Sequence, residues 1–129
     1  MIKHFSQWIK QKRKLHNETS VAPLVRERDL WWVALGENVG SEMGGKSKYF
    51  SRPALVLKKL SHGFYLIVPS TTQKREGSWY VPIHFGGQDM YLCLHHIRTI
   101  DYRRLYSKMG QVDTNDFATT KKAFQRLYF

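Results

Sequence analysis

A glycine-rich polar loop that leads into an arginine and a short apolar run is the stretch of this sequence best suited to chemistry. Residues 36–51 include four glycines, which permit positive φ angles and a close approach of backbone to a ligand. Arg52-Pro53 follows, and Pro53 favours an extended backbone at Arg52. Residues 54–57 read as a buried strand. Arg52 is therefore predicted to lie where a loop meets a sheet, a place that suits recognition of a phosphate. A local salt bridge is the alternative.

The charge of the chain favours an anionic partner. The 129 residues carry a formal net charge of +11, and nucleic acid is the commonest partner of such a protein. The only cysteine, Cys93, excludes an intrachain disulfide. No apolar stretch is long enough to cross a membrane, and the N-terminus has no secretory signal. We therefore expect one cytoplasmic domain with no membrane partner.

The N-terminal residues 1–28 are predicted to be an extension of the domain at 29–129. Apolar residues recur at near-helical spacing in 1–17 with lysines and an arginine between them, a pattern typical of a basic amphipathic helix. A polar linker follows. We expect the helix to pack on its own domain, and the alternatives are that it binds an anionic membrane surface, a partner or RNA.

From residue 29 the pattern becomes that of short strands followed by a helix. Strands are predicted at 30–35, 53–59, 64–68, 79–85 and 90–97, with Pro69 ending the third. The last two form a hairpin across Gly86-Gly87. A short helical turn is predicted at 102–109, and then a helix capped by Asp113 or Thr114 with an aromatic face on the sheet. Five short strands with compact turns indicate a strongly bent sheet or barrel.

Four segments of the chain, in this order, resemble the MazF/PemK family of toxin endoribonucleases. They are LWWVALGENVGSE from residue 30, RPALVL from residue 52, VPSTTQ from residue 68 and IRTID from residue 97. The likeness covers residues 28–129. It implies a mainly β fold, an SH3-like small β-barrel of the CcdB/PemK type with a C-terminal helix, and usually a homodimer. The N-terminal basic amphipathic helix lies outside the family's minimal core.

The same resemblance implies a reaction and its partners. Members cleave single-stranded RNA without a metal or other cofactor, and leave a 2′,3′-cyclic phosphate and a 5′-hydroxyl. A cognate antitoxin, a small acidic protein, would cover the RNA groove, and DNA would be contacted only through the antitoxin complex. Arg52 and Thr71 match the family's catalytic pair, and Glu42 matches its loop glutamate.

The residues support charge stabilisation more strongly than proton transfer. Arg52 can stabilise the charge of a phosphorane, and Thr71 can donate a hydrogen bond to a non-bridging oxygen. The guanidinium of Arg52 holds its proton too tightly to serve as a general acid.

The identity of the general base stays open. Glu42 is one candidate, and His84, His95 and His96 are others because imidazole titrates near neutral pH. His95 is preferred among the histidines. Since adjacent residues of a strand point to opposite faces, at most one of His95 and His96 should face the site.

Basic and polar side chains around these residues are predicted to contact RNA. They are Lys46, Lys48, Thr72, Lys74, Arg75 and Arg98, with Trp79 and Tyr49 as candidate surfaces for base stacking. No cluster of histidines, cysteines and carboxylates has metal-ligand spacing, so no metal site is predicted. The alternative function is a non-catalytic basic barrel that binds nucleic acid or a partner protein.

Overall fold

The structure, a computed structural model, describes residues 23–36 and 51–129 and folds them into an antiparallel sheet with a C-terminal helix. The strands are β1 (Asp29–Ala34), β2 (Ser51–Ser61), β3 (Phe64–Thr71), β4 (Tyr80–Phe85), β5 (Gln88–Cys93), β6 (Arg98–Asp101) and β7 (Leu105–Gln111), and the helix is α1 (Thr114–Tyr128). Short 3₁₀ helices occupy Leu94–His96 and Tyr102–Arg104. The predicted helix at 1–17 and its linker lie outside the described residues.

The strand order in the sheet is β4-β5-β3-β2-β1-β7, and β6 pairs separately with β3. The two partners of β3 on this edge use different parts of the strand: Phe64–Ile67 pair with β6, and Ser70 and Thr71 pair with β5. Pro69 falls between these two paired parts of β3, so neither β5 nor β6 requires a backbone N–H at this position. The prediction that Pro69 ends the strand is therefore wrong, and Thr71 is a strand residue.

The apolar run of β2 is buried on both faces. Ala54 and Val56 pack in one apolar cluster, and Leu55 and Leu57 pack in the other. This arrangement explains why the run does not alternate with polar residues. Pairing with β1 and β3 holds Arg52, just before this run, against a rigid support.

The sheet bends until its two edge strands approach each other. A Cβ added to Gly110 of β7 would lie 2.9 Å from Cζ of Phe85 at the end of β4, so only glycine fits there without a shift. The predicted hairpin across Gly86-Gly87 is confirmed: Phe85 pairs with Gln88, and both glycines have positive φ. The mainly β fold with a C-terminal helix is confirmed as well.

Two segments differ from the prediction. Residues 102–109 form a helical turn only at Tyr102–Arg104, and β7 follows because β1 needs an antiparallel partner on its second edge. The predicted strand at 90–97 ends at Cys93, and the 3₁₀ helix places His95 and His96 off the sheet.

The C-terminal helix forms as predicted. The side chain of Asp113 caps it by accepting a hydrogen bond from the N–H of Asn115. Phe117, Phe124 and Leu127 pack against the core. No helix in the described part of the chain has the length and apolar character needed to span a membrane.

Candidate functional site

A cavity of about 400 Å³ opens where β2 begins, β3 ends and the β4–β5 hairpin turns. Its polar lining comes from Arg52, Ser70, Thr71 and Thr72, and its apolar wall from Trp32, Phe85, Met90 and Met109. Ala54 pairs with Pro69, so continuing this register by two residues brings Arg52 level with Thr71. The volume lies in the range of small-ligand sites. Among the predicted site residues, Arg52, Thr71 and Thr72 are thus brought together.

The guanidinium of Arg52 is held by the end of β3. Its Nη1 donates to the backbone carbonyl of Ser70 at 3.3 Å, and the buried hydroxyl of Ser70 donates to the carbonyl of Pro53 at 2.7 Å. These two bonds tie Arg52 and Pro53 of β2 to Ser70 of β3. Burial lowers the pKa of Arg52, and the nearby Arg75 lowers it further. An arginine still remains charged at neutral pH, so it presents a fixed cation to the cavity.

The hydroxyl of Thr71 is oriented by the backbone that follows it. Its side chain is only 4% exposed, and Oγ1 accepts a hydrogen bond from the N–H of Gln73 at 3.2 Å. A hydroxyl that accepts one hydrogen bond can still donate its own hydrogen. Thr71 can therefore donate to an anionic group beside Arg52.

Cys93 is fully buried, and only its thiolate form would be stabilised by the charge of Arg52. Burial raises the pKa of its thiol to about 11, although Arg52 and Arg75 oppose the shift. Because the thiolate is the nucleophilic form, Cys93 is an inert residue near neutral pH.

We expect Cys93 to resist alkylation. At about pH 8 its thiolate fraction should be on the order of a hundredfold below that of an exposed thiol. Iodoacetamide should therefore react at least about a hundredfold more slowly with the folded protein than with protein in denaturant, as followed by mass spectrometry. Equal rates in the two states would show that Cys93 is neither buried nor shifted.

The three histidines considered as general bases do not line this cavity. His84 makes an exposed contact with Asp89, with Nδ1 2.9 Å from Oδ1. The rings of His95 and His96 lie 4.1 Å apart on the 3₁₀ helix, and burial lowers the pKa of His95. The expectation that these two point to opposite faces is wrong because they are not on a strand. The choice of His95 as the base gains no support from this geometry.

Two hydrogen bonds of Leu94 hold the segment that carries these histidines. The N–H of Leu94 donates to the carbonyl of Trp79 at 2.8 Å, which continues the β4–β5 register by one residue, and its own carbonyl accepts from the hydroxyl of Tyr128 at 2.7 Å. Both backbone groups of Leu94 are thus satisfied where the strand ends.

The remaining predicted RNA contacts are dispersed. Lys74 and Arg75 lie on the exposed loop after Thr72. Arg98 donates to the carbonyl of Leu35 at 3.2 Å, at the end of β1, and does not line the cavity. Glu42, Lys46, Lys48 and Tyr49 lie outside the described residues. Within the described ranges, no group of three or more histidines, cysteines and carboxylates could hold a metal ion.

Sequence reasoning missed Ser70 and the apolar wall of the cavity. Met109 was not predicted to line the cavity because its segment is predicted as a helical turn. Trp32 was not predicted to line it because β7, the second partner of β1, is not predicted. Phe85 carried a usable signal, since the predicted hairpin already placed it beside the glycine turn.

A bent antiparallel sheet with a C-terminal helix, a high positive charge and a cavity lined by an arginine and a threonine hydroxyl define the class as a small, basic, mainly β protein. The sequence profile described as PemK-like, MazF-like toxin of type II toxin–antitoxin system matches residues 26–128, so the chain belongs to this family. The predicted resemblance is confirmed. A search of curated protein sequences finds no match.

Solved structures with the same fold come from this family. MazF from Deinococcus radiodurans superimposes with a TM-score of 0.62 at 24% identity, over 83% of this chain and 96% of that one. An endoribonuclease in complex with its cognate antitoxin, from a mycobacterial species, gives 0.62 at 18% identity, over 81% and 93%. The Mycobacterium tuberculosis toxin MazF-mt6 gives 0.60 at 17% identity, over 78% and 96%. At these identities the likeness establishes the fold.

Proposed function

We propose that this protein is a toxin endoribonuclease that cleaves single-stranded RNA and is inhibited by a cognate antitoxin. The observation that carries the proposal is the shared cavity of Arg52 and Thr71, contributed by separate strands of a chain with a net charge of +11. Family membership supports it, as do similar structures described as endoribonucleases.

The proposed reaction is an attack of the 2′-hydroxyl on the adjacent phosphate. The bond from the 2′-oxygen to phosphorus forms, the bond from phosphorus to the 5′-oxygen breaks, and one proton leaves the nucleophile while another reaches the 5′-oxygen. The products are a 2′,3′-cyclic phosphate and a 5′-hydroxyl. This transfer needs no metal or cofactor if fixed protein groups stabilise the charge on phosphorus.

Arg52 and Thr71 supply that stabilisation in the proposed mechanism. The planar guanidinium donates to the non-bridging oxygens as their charge grows, and the Thr71 hydroxyl adds a second donor. The bond from Arg52 to the Ser70 carbonyl limits its rotation, so less reorganisation is required during reaction. The apolar wall of Trp32, Phe85 and Met90 offers space for an unstacked base.

The partners follow from charge and family. The antitoxin is proposed to be a small acidic protein that covers the RNA-binding surface, since a chain of charge +11 attracts an acidic chain. We further propose a cytoplasmic homodimer that meets DNA only within the antitoxin complex. Glu42 remains the proposed candidate for the general base.

Incubation of the purified protein with a long single-stranded RNA tests the activity. We expect fragments with 5′-hydroxyl ends and equal yields with and without a chelator. A strand of the same sequence made with 2′-deoxyribose, which lacks the attacking hydroxyl, should not be cleaved. Arg52→Ala protein purified in parallel controls for contaminating nucleases. Binding without turnover would favour a non-catalytic barrel, and cleavage that a chelator abolishes would contradict the proposed chemistry.

A further inference from the structure

The loop at residues 72–79 connects the cavity to a second surface feature, a group of aromatic rings. Thr72 lines the cavity, and Trp79 at the far end of the loop is 40% exposed. Lys74 and Arg75 lie between them and face solvent. A short cationic segment therefore separates the proposed phosphate site from an exposed indole.

The indole of Trp79 is held in place from several sides. Its ring centroid lies 5.9 Å from that of His95 and 5.9 Å from that of Tyr128, and the contact with Tyr128 is edge-to-face. The backbone of Trp79 is fixed by the hydrogen bond from the N–H of Leu94. An aromatic side chain supported in this way loses little conformational entropy when a ligand stacks on it.

Arg75 lies on the loop between the two features. Its Nη2 donates to Oε1 of Gln73 at 2.5 Å, and its Nη1 donates to the carbonyl of Lys74 at 3.4 Å, so the loop itself holds the guanidinium. Its positive charge also lowers the pKa of Arg52 in the cavity, which puts the two cations within electrostatic reach of each other. Cationic side chains beside an exposed aromatic ring are typical of a groove for single-stranded nucleic acid.

We propose that Trp79, supported by His95 and Tyr128, is a stacking site for a nucleobase flanking the cleaved phosphate, with Arg75 contacting the backbone phosphate between the two sites. This proposal deepens the proposed function and rests on it for the nature of the ligand. The site takes any unpaired base, since every base has a flat face, and so extends affinity without fixing sequence.

The test measures binding of two fluorescent probes by anisotropy. One is a single-stranded RNA dodecamer of mixed sequence with 2′-O-methyl riboses, which lack the attacking hydroxyl. The other has the same backbone with abasic positions throughout. Trp79→Leu keeps an apolar side chain and removes the ring, Trp79→Phe restores a ring, and Phe64→Leu is the matched control. Phe64 is also 40% exposed, and it lies at the opposite end of β3 from Thr71.

We expect Trp79→Leu to weaken binding of the base-carrying probe by roughly 5- to 100-fold, the usual effect of losing one stacked base. Binding of the abasic probe should not change. Trp79→Phe should recover most of the affinity, and Phe64→Leu should match the wild type. Unchanged affinity of Trp79→Leu for the base-carrying probe, or an equal loss on both probes, would overturn the stacking site.

Arg75→Gln tests the proposed contact between Arg75 and a backbone phosphate independently of the stacking site. It should reduce the slope of log affinity against log salt by about 0.7 for both probes, as expected for one lost phosphate contact on a single strand. Lys59→Gln, an exposed change near Phe64, should leave the slope unchanged. Equal slopes for Arg75→Gln and wild type would overturn the phosphate contact.

The measurements distinguish failure of the proposed stacking site from failure of the proposed nuclease activity. If the wild type binds the base-carrying probe through Trp79 but does not cleave an unmodified RNA, the stacking site stands and the proposed reaction fails. If RNA is cleaved but Trp79→Leu binds as the wild type does, the reaction stands and the stacking site fails. Failure of the wild type to bind either probe overturns the stacking site.

Discussion

Replacing Arg52 with alanine is expected to lower kcat for RNA cleavage by about 10²- to 10³-fold, the usual loss for a preorganised group that stabilises transition-state charge. The guanidinium donates to the Ser70 carbonyl and lines the cavity with Thr71. The guanidinium meets non-bridging oxygens only when a phosphate occupies the cavity. Because charge on these oxygens grows during the reaction, kcat and kcat/KM should fall together.

Two variants separate this effect from a general loss of charge. Lys122→Ala, on the exposed face of α1, removes the same unit of charge and should keep full activity. Arg52→Lys keeps the charge but not the planar fork, so its kcat should stay well below that of the wild type. Full activity of Arg52→Ala, or an equal loss in Lys122→Ala, would remove Arg52 from the mechanism.

The position of Arg52 at the junction of a loop and a strand could be predicted from sequence, because the residues that determine it are its neighbours in the chain. A proline after it, an apolar run beyond and glycines before it all act within a few residues of the chain. The hairpin was equally local, since two adjacent glycines permit the positive φ angles that its tight turn requires. Thr71 had no local signal, and only the family resemblance singled it out beside Thr72.

The parts that could not be predicted depend on contacts far apart in sequence. The segment Leu105–Gln111 has a weak apolar pattern and becomes β7 only because β1 lies beside it. Because β7 was not predicted, the contribution of Met109 to one wall of the cavity was not predicted either. From local sequence alone, Pro69 indicates the end of a strand. It is accommodated inside β3 because β6 and β5 pair with the strand on either side of it, and these partners are distant in sequence.

The histidines show the same limit for the site itself. His95 and His96 are adjacent in sequence, so the assumption of a strand assigned them opposite faces. The fold instead brings their ring centroids to 4.1 Å on a 3₁₀ helix, where Leu94 is hydrogen-bonded to Trp79 and Tyr128. A general base cannot be assigned from residue type when the backbone conformation of its segment is set by such distant partners.

A buried carboxylate at the start of β1 is expected to dominate the stability of the fold. Asp29 is fully buried, and it accepts hydrogen bonds from the N–H of Arg26 at 2.8 Å, from Nε1 of Trp31 at 3.2 Å and from Nε2 of Gln111 at 3.0 Å. Nζ of Lys108 lies 3.4 Å from the same carboxylate. Asp29 therefore joins β1, the turn before it and β7.

Asp29→Ala should lower the free energy of unfolding by about 2–4 kcal/mol, because the buried Nε1 of Trp31 and the partly buried donors of Arg26 and Gln111 lose their acceptor. Urea denaturation followed by circular dichroism measures the loss as a lower midpoint. Asp89→Ala is the matched control: it also removes a carboxylate that contacts another side chain, but an exposed one, and should cost about 1 kcal/mol or less. β7 carries Met109 into the cavity, and Tyr106 on the same strand donates to the hydroxyl of Ser51 beside Arg52. Loosening this junction should therefore reduce RNA cleavage at temperatures where the fold still persists. If Asp29→Ala and Asp89→Ala unfold at the same urea concentration, the network around Asp29 does not hold β7 in place.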